Sequence, residues 1–218
     1  MDIVVKIENV TKVYGNQTVL NNVSLICEKG NIYGLVGRNG SGKTVLLKCI
    51  CGLIHPTSGV VHVWGKQIGK DVDFAEDTGF IIESPGFLPR ETALANLKHL
   101  ALIRGNTSST EIIESLKTVG LDPFLKKPVG KYSMGMRQRL GIAQAIMEKP
   151  HLLILDEPMN GLDNHGVEDI RSVLLLLKES GVTIILASHF KEDISYLCDE
   201  VYQIDAGILT CKHRKSSW

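Results

Sequence analysis

The sequence predicts an α/β domain with a parallel-stranded core, an N-terminal antiparallel β subdomain and an inserted helical lobe. Three observations carry this expectation. Residues 152–155 (Leu-Leu-Ile-Leu) and 182–186 (Val-Thr-Ile-Ile-Leu) are apolar runs bounded by polar residues, a pattern that suits central strands buried on both faces of a parallel sheet. A helical stretch over about 164–180 joins them as a βαβ crossover would. Between about 84 and 149 the period becomes helical: Leu94, Leu97, Leu100 and Ala101 share one face, and Ile112, Ile113, Leu116 and Val119 share another.

The remaining elements follow in chain order. Residues 4–10 and 19–27 read as strands, with Gly15-Asn16 as a turn between them. Residues 32–36 form a short apolar strand that runs into a glycine-rich loop. Residues 45–52 suit a helix ended by Gly52 and closed off by Pro56. Strands are expected at 60–64 and 79–82, and turn signals at Gly105-Asn106 and Leu121-Asp122-Pro123 divide the lobe. The last strand is expected at 200–205, leaving Lys212-His213-Arg214-Lys215 as a solvated basic end. The expectation is one domain over 1–218, with core segments 1–83 and 150–218 and the lobe at about 84–149.

Bulk properties exclude several classes. A hydrophobic fraction of 44% is ample for a buried core. Lys plus Arg equals Asp plus Glu at 24 each, and no nucleic-acid partner is expected, since such partners favour a basic domain. The cysteines, Cys27, Cys49, Cys51, Cys198 and Cys211, contain no CxxC pair, so buried or free thiols are expected rather than disulfides or zinc. Residues 1–8 lack the basic-then-apolar build of a signal peptide. No apolar run approaches the roughly 20 residues of a membrane-spanning helix, so the chain is not expected to cross a membrane by itself.

The loop Gly37-Arg38-Asn39-Gly40-Ser41-Gly42-Lys43-Thr44 matches G-x-x-x-x-G-K-[ST]. Glycines let the backbone wrap an anion without Cβ clashes. Loop N–H groups and the positive end of the following helix then point at phosphates. Lys43 supplies a cation, and the Thr44 hydroxyl can ligate magnesium. A random match in a chain of this length has a probability of roughly 1%. The strand before and the helix after it complete the context of a P-loop NTPase core that holds a nucleotide's phosphates with Mg2+, without choosing among the many P-loop families.

Downstream, the apolar strand 152–155 ends in Asp156-Glu157-Pro158. An acid at such a strand end helps hold magnesium, and an adjacent Glu can act as general base toward a water. Between these motifs lies Tyr132-Ser133-Met134-Gly135-Met136-Arg137-Gln138-Arg139-Leu140, with Ser133 at a helix N-cap position where it can present donors to an anion. This segment resembles the LSGGQ signature loop of ATP-binding cassette (ABC) ATPases, keeping Ser133 and Gly135 and departing at Tyr132, Met134 and Met136. The resemblance extends in order over about residues 3–208. It implies that Tyr14 stacks on adenine, that Asp163 lies in a D-loop (Asn160-Gly161-Leu162-Asp163), and that His189 contacts the γ-phosphate. With Glu157, His189 completes the implied catalytic pair.

One departure stands out. Where the family usually carries a metal-sensing Gln, this chain has Glu83, and a carboxylate there can still ligate magnesium beside Thr44 and Asp156. The segment around Glu83, with Tyr-Ser-Met-Gly-Met, is similar to ATPases of lantibiotic-immunity and bacitracin-resistance exporters, although such chains often carry a C-terminal extension. The resemblance implies two cassettes paired head to tail by ATP, with a homodimer expected, and a separate transmembrane permease subunit. It also implies a bacterial protein, cytoplasmic and peripheral on the inner face of the cell membrane. Soluble ABC ATPases acting on ribosomes or chromosomes are a rival reading, but they usually carry two cassettes or a long coiled coil. A non-hydrolysing regulatory nucleotide-binding module is another, which Glu157 and His189 oppose.

Overall fold

Alternation along the central strands sets the layering. In β3 (Ile32–Val36), β7 (Leu152–Asp156) and β8 (Thr183–Ala187), neighbouring side chains leave the sheet on opposite faces. Ile32, Leu153, Leu155, Ile184 and Leu186 enter one core, while Tyr33, Leu35, Leu152, Ile154, Ile185 and Ala187 enter another. Each central strand therefore joins two cores at once, which is why its sequence is apolar without a break.

The computed structural model describes residues 2–83, 85–105 and 107–214. Its larger sheet runs β10-β9-β3-β8-β7-β6, with β6 at Thr78–Ile81, β9 at Glu200–Asp205 and β10 at Ile208–Arg214. Five of these strands pair in parallel, and β10 closes the edge antiparallel to β9. A smaller antiparallel sheet has the order β2-β1-β4-β5, from β1 (Ile3–Tyr14), β2 (Gln17–Glu28), β4 (Ser58–Val63) and β5 (Lys66–Gln67). Helix α1 (Lys43–Cys51) is sandwiched between the sheets through Leu46, Leu47 and Ile50.

Helices α2 (Ala93–Arg104), α3 (Ser109–Thr118) and α4 (Met134–Ile146) fall between β6 and β7 in the chain. With α5 (Asn164–Glu179) and α6 (Lys191–Leu197) they cover the other face of the larger sheet. Local chemistry explains their ends. The Thr92 hydroxyl accepts from Ala95 N at 3.2 Å to start α2. Ser108 and Glu111 form a reciprocal capping box on α3. The Ser108 backbone N–H, its hydroxyl and Lys149 lower the Glu111 pKa to about 2. That contribution is complete above the ordinary carboxylate pKa and fades as the pH falls toward 2.

Helix α4 is held tightly to the sheet. A Cβ on Gly79 of β6 would collide with the Ala145 carbonyl, and one on Gly141 would lie 3.4 Å from Ile81. The absence of side chains at these two points lets α4 approach β6 closely.

The structure extends several sequence expectations and corrects one. β1 and β2 are each 12 residues long and meet in the expected Gly15-Asn16 turn. The central strands, the α5 crossover and the buried faces of α2 and α3 lie as expected. The solvated basic end is corrected: residues 208–214 form β10, paired with β9 through a turn at Ala206-Gly207 where both residues have positive φ. Lys212 and His213 point to solvent from this edge strand, so their charge masked a backbone pairing. Asn106 and Lys215 lie outside the described residues. Cys27, Cys49, Cys51 and Cys198 are buried and Cys211 is exposed. Burial raises the thiols of Cys49 and Cys51 to about 11 and about 12, so neither is a thiolate at neutral pH.

Gly79→Ala is expected to destabilise the protein by about 1–3 kcal/mol through overpacking, read as a lower thermal midpoint. Gly86→Ala, whose new Cβ meets nothing within 4 Å, should leave the midpoint unchanged.

Candidate active site

The parallel register delivers the site. Leu35 of β3 and Asp156 of β7 both pair with Ala187 of β8, so three strands end side by side. From these ends the chain continues into the 37–44 loop, into Glu157, and into Ser188-His189. Ser188 N donates to Leu35 O at 3.2 Å and Glu157 N to Ala187 O at 2.9 Å, which fixes the exits against one another.

Within the loop, Gly40 and Gly42 take φ of 78° and 111°, conformations that disfavour a side chain. Gly42 caps α1 without a side-chain bond, and no acidic residue occupies the first turn of α1. Its N-terminal N–H groups are thus left for an anion. The Ser41 hydroxyl is buried and has no hydrogen-bond partner among the described residues. Lys43 is only 6% exposed and donates from Nζ to Gly37 O at 2.7 Å and to Arg38 O at 3.3 Å. An orphaned buried hydroxyl, an uncapped helix start and a buried ammonium together fit a polyphosphate.

Asn39, Gly40, Lys43, Thr44, Asp156 and Glu157 line one cavity of about 360 Å³. Thr44 Oγ1 donates to Asp156 Oδ2 at 2.6 Å, and this oxygen pair suits a hard divalent cation. Glu157 has φ 52°, a left-handed conformation costing about 1–2 kcal/mol in a residue with a Cβ. Its Oε2 lies 2.8 Å from His189 Nδ1 and accepts from His189 N at 3.4 Å. His189 borders a neighbouring, larger cavity shared with Gly161 and Asn164, so the Glu157–His189 contact spans the wall between the two.

Other sequence-predicted residues stand apart from this cavity. Tyr14 lies at the tip of the β1–β2 hairpin, 48% exposed, with the Lys12 ammonium 4.9 Å from its ring centroid. Ser133 caps α4, its hydroxyl accepting from Met136 N at 3.1 Å, and it faces solvent. Gly135 sits beside the Gly161 carbonyl. Asp163 caps α5 by accepting from Gly166 N at 2.8 Å. Glu83, at φ 62°, has its carboxylate engaged by Lys48 Nζ at 2.7 Å.

Two contacts went unread in the sequence. Lys48 is one helical turn beyond Thr44 on α1, a spacing that would have placed it on the magnesium side. The side-chain amide of Gln138 on α4 donates to Glu157 O at 3.3 Å and to Pro158 O at 3.1 Å. No local pattern marks that second contact, because its partners lie about 20 residues away across a helix and a strand.

Comparison with known proteins agrees with this geometry. The profile of the ABC transporter family matches residues 20–160. The Bacillus subtilis (strain 168) ABC transporter ATP-binding protein YybJ is 47% identical over 205 residues, 94% of each chain. Bacitracin transport ATP-binding protein BcrA of Enterococcus faecalis is 44% identical over 96% of this chain and 68% of its own. Lantibiotic transport ATP-binding protein SrtF of Streptococcus pyogenes is 40% identical over 89% of this chain and 83% of its own. Among solved structures, the dimeric ATP-binding cassette MJ0796 bound to ADP and Pi aligns with a TM-score of 0.87 at 25% identity, covering 98% of this chain and 100% of that one. The chain belongs to the ABC transporter family, as an ATP-hydrolysing, ATP-binding subunit.

Proposed function

We propose that the cavity between the 37–44 loop and the strand end at Asp156-Glu157 holds the ATP triphosphate, and that two copies of the chain drive a separate membrane permease. The observation that carries the first part is the convergence of Lys43, Thr44, Asp156 and Glu157 on one cavity. Loop amides and Lys43 bind the β- and γ-phosphates, with the Ser41 hydroxyl as a further donor. Thr44 and Asp156 hold magnesium, which neutralises charge on the phosphates. Glu157 accepts the proton of the attacking water, and His189 keeps its carboxylate turned toward that water. Tyr14 at the hairpin tip supplies a face for the adenine in exchange for its contact with Lys12.

Ser133 faces solvent at the start of α4, which supports its serving the nucleotide of a second copy rather than its own. In that head-to-tail pair Gly135 and Asp163 lie near the shared nucleotide, Gly135 beside it and Asp163 as the cap that shapes the adjoining loop. The permease is separate: among the described residues no helix is long and apolar enough to cross a membrane. It docks on the lobe side near 83–97, where Leu88 is an exposed apolar contact. The likeness to BcrA and SrtF supports export of, or resistance to, a peptide antibiotic or similar amphipathic compound. The chain then works peripherally on the inner face of a bacterial membrane.

Glu83 is the third proposed magnesium ligand, held by Lys48 until the metal competes for its carboxylate. On this reading Glu83→Gln raises the magnesium concentration for half-maximal nucleotide binding about 10-fold, measured by calorimetry at fixed ATP. An unchanged magnesium titration would remove Glu83 from the metal site.

Glu157→Gln is expected to lower kcat by about 10²–10⁴-fold while Mg-ATP still binds and drives dimerisation, followed by light scattering. Undiminished turnover rules out Glu157 as the base, and a protein that stays monomeric with Mg-ATP rules out the paired arrangement. Affinity purification of the chain from its native membrane should bring down a polytopic permease. Recovery of ribosomes in its place would reject the transport role.

A further inference from the structure

Gln138 lies between two parts of the chain that serve different nucleotides in the proposed pair. It sits on α4, one helical turn inside the exposed end that carries Ser133 and Gly135. Its side-chain amide reaches the backbone carbonyls of Glu157 and Pro158 at 3.3 and 3.1 Å. Glu157 needs such support because its left-handed backbone is held by neighbours rather than by its own preference. The same carbonyl accepts from Asn160 N at 3.1 Å, and the Glu157 N–H is tied to Ala187 O. Gln138 is thus a side-chain tether of this turn that reaches its backbone from α4.

A second contact makes the link stiff. The start of α4 rests on the same segment farther along: an added Cβ on Gly135 would lie 3.0 Å from Gly161 O, and one on Gly161 would meet the Met134 side chain at 2.5–3.0 Å. Helix α4 therefore grips residues 157–161 at two points, one turn apart on its own axis.

We propose that Gln138 is a positioning residue through which the exposed end of α4 sets the catalytic carboxylate. Engagement of Ser133 and Gly135 by the nucleotide of a second copy then aligns Glu157 toward the nucleotide of its own copy. The inference rests on the paired-site reading above and adds to it a route between the two sites within one chain. The donor character of the amide is what matters, since both partners are carbonyl oxygens.

The test uses the full chain with Gln138→Glu, which keeps size and replaces the donor by an acceptor, and Gln138→Met, which removes it. Steady-state ATPase rates are measured across ATP concentrations, together with the thermal midpoint. Both variants should show kcat about 10–100-fold lower, KM within about threefold of wild type, a Hill coefficient falling toward one, and an unchanged midpoint. Wild-type kcat and Hill coefficient in either folded variant overturn the proposal. So does a kcat loss with the Hill coefficient retained, which would leave Gln138 a local support only. A midpoint lowered in both variants alongside lost ATP binding also overturns it, in favour of a purely structural role. Failure of the paired-site reading is seen separately, as a wild-type protein that is inactive or has a Hill coefficient of one.

Discussion

Parallel pairing of β3, β7 and β8 is the constraint on which the rest of the molecule depends. Parallel strands in register end at one edge of a sheet, and here Leu35, Ala187 and Asp156 are direct neighbours across it. Asp156 stands at that edge, Glu157, Ser188 and His189 follow within two residues of it, and the 37–44 loop begins two residues after Leu35. The chemistry needs them within a few ångströms of each other. Backbone hydrogen bonds between strands set that spacing, and the side chains inherit it. Burial on both faces holds the strands rigid, because any shift would expose one core or the other.

Charge placement follows from the same arrangement. The start of α1 and the Lys43 ammonium share one cavity with the carboxylates of Asp156 and Glu157, a charge arrangement that suits a strongly anionic ligand together with a divalent cation. The Thr44–Asp156 bond at 2.6 Å keeps the two halves in contact. Lys48 then balances Glu83 one turn along α1, so the carboxylate that departs from the family's usual amide has a counter-charge of its own. An exposed ion pair of this kind adds little stability. Its consequence lies in orienting the Glu83 side chain toward α1.

The covering helices are not passive. Gly79 and Gly141 let α4 lie hard against β6, and Gln138 then reaches the turn after β7. A helix whose buried face anchors it to the sheet and whose exposed end carries Ser133 and Gly135 joins two surfaces that are distant in sequence. Arg139, adjacent to Gln138, ties the same helix to the Val119 carbonyl and to Asp169 of α5 at 2.7 Å each. That guanidinium also holds the Asp169 carboxyl below its usual pKa. Helix α4 is thereby fixed to the lobe and to the core at once.

Much of this was legible in the residues alone, for an identifiable reason. The central strands were visible because a strand buried on both faces must be apolar at every position. The phosphate loop was visible because wrapping an anion with main-chain amides demands glycine at particular places in an unbroken stretch. Both constraints act within a few consecutive residues, so they leave a local signature. Tertiary structure alone decided the pairing of β10, the bond from Lys48 to Glu83 and the reach of Gln138 to the Glu157 turn. Each of these joins polar groups or backbone atoms separated along the chain, where no period or spacing is required of the sequence. Folding chooses such partners by bringing the elements into contact, and until then a glutamine on a helix is only a polar residue facing one way.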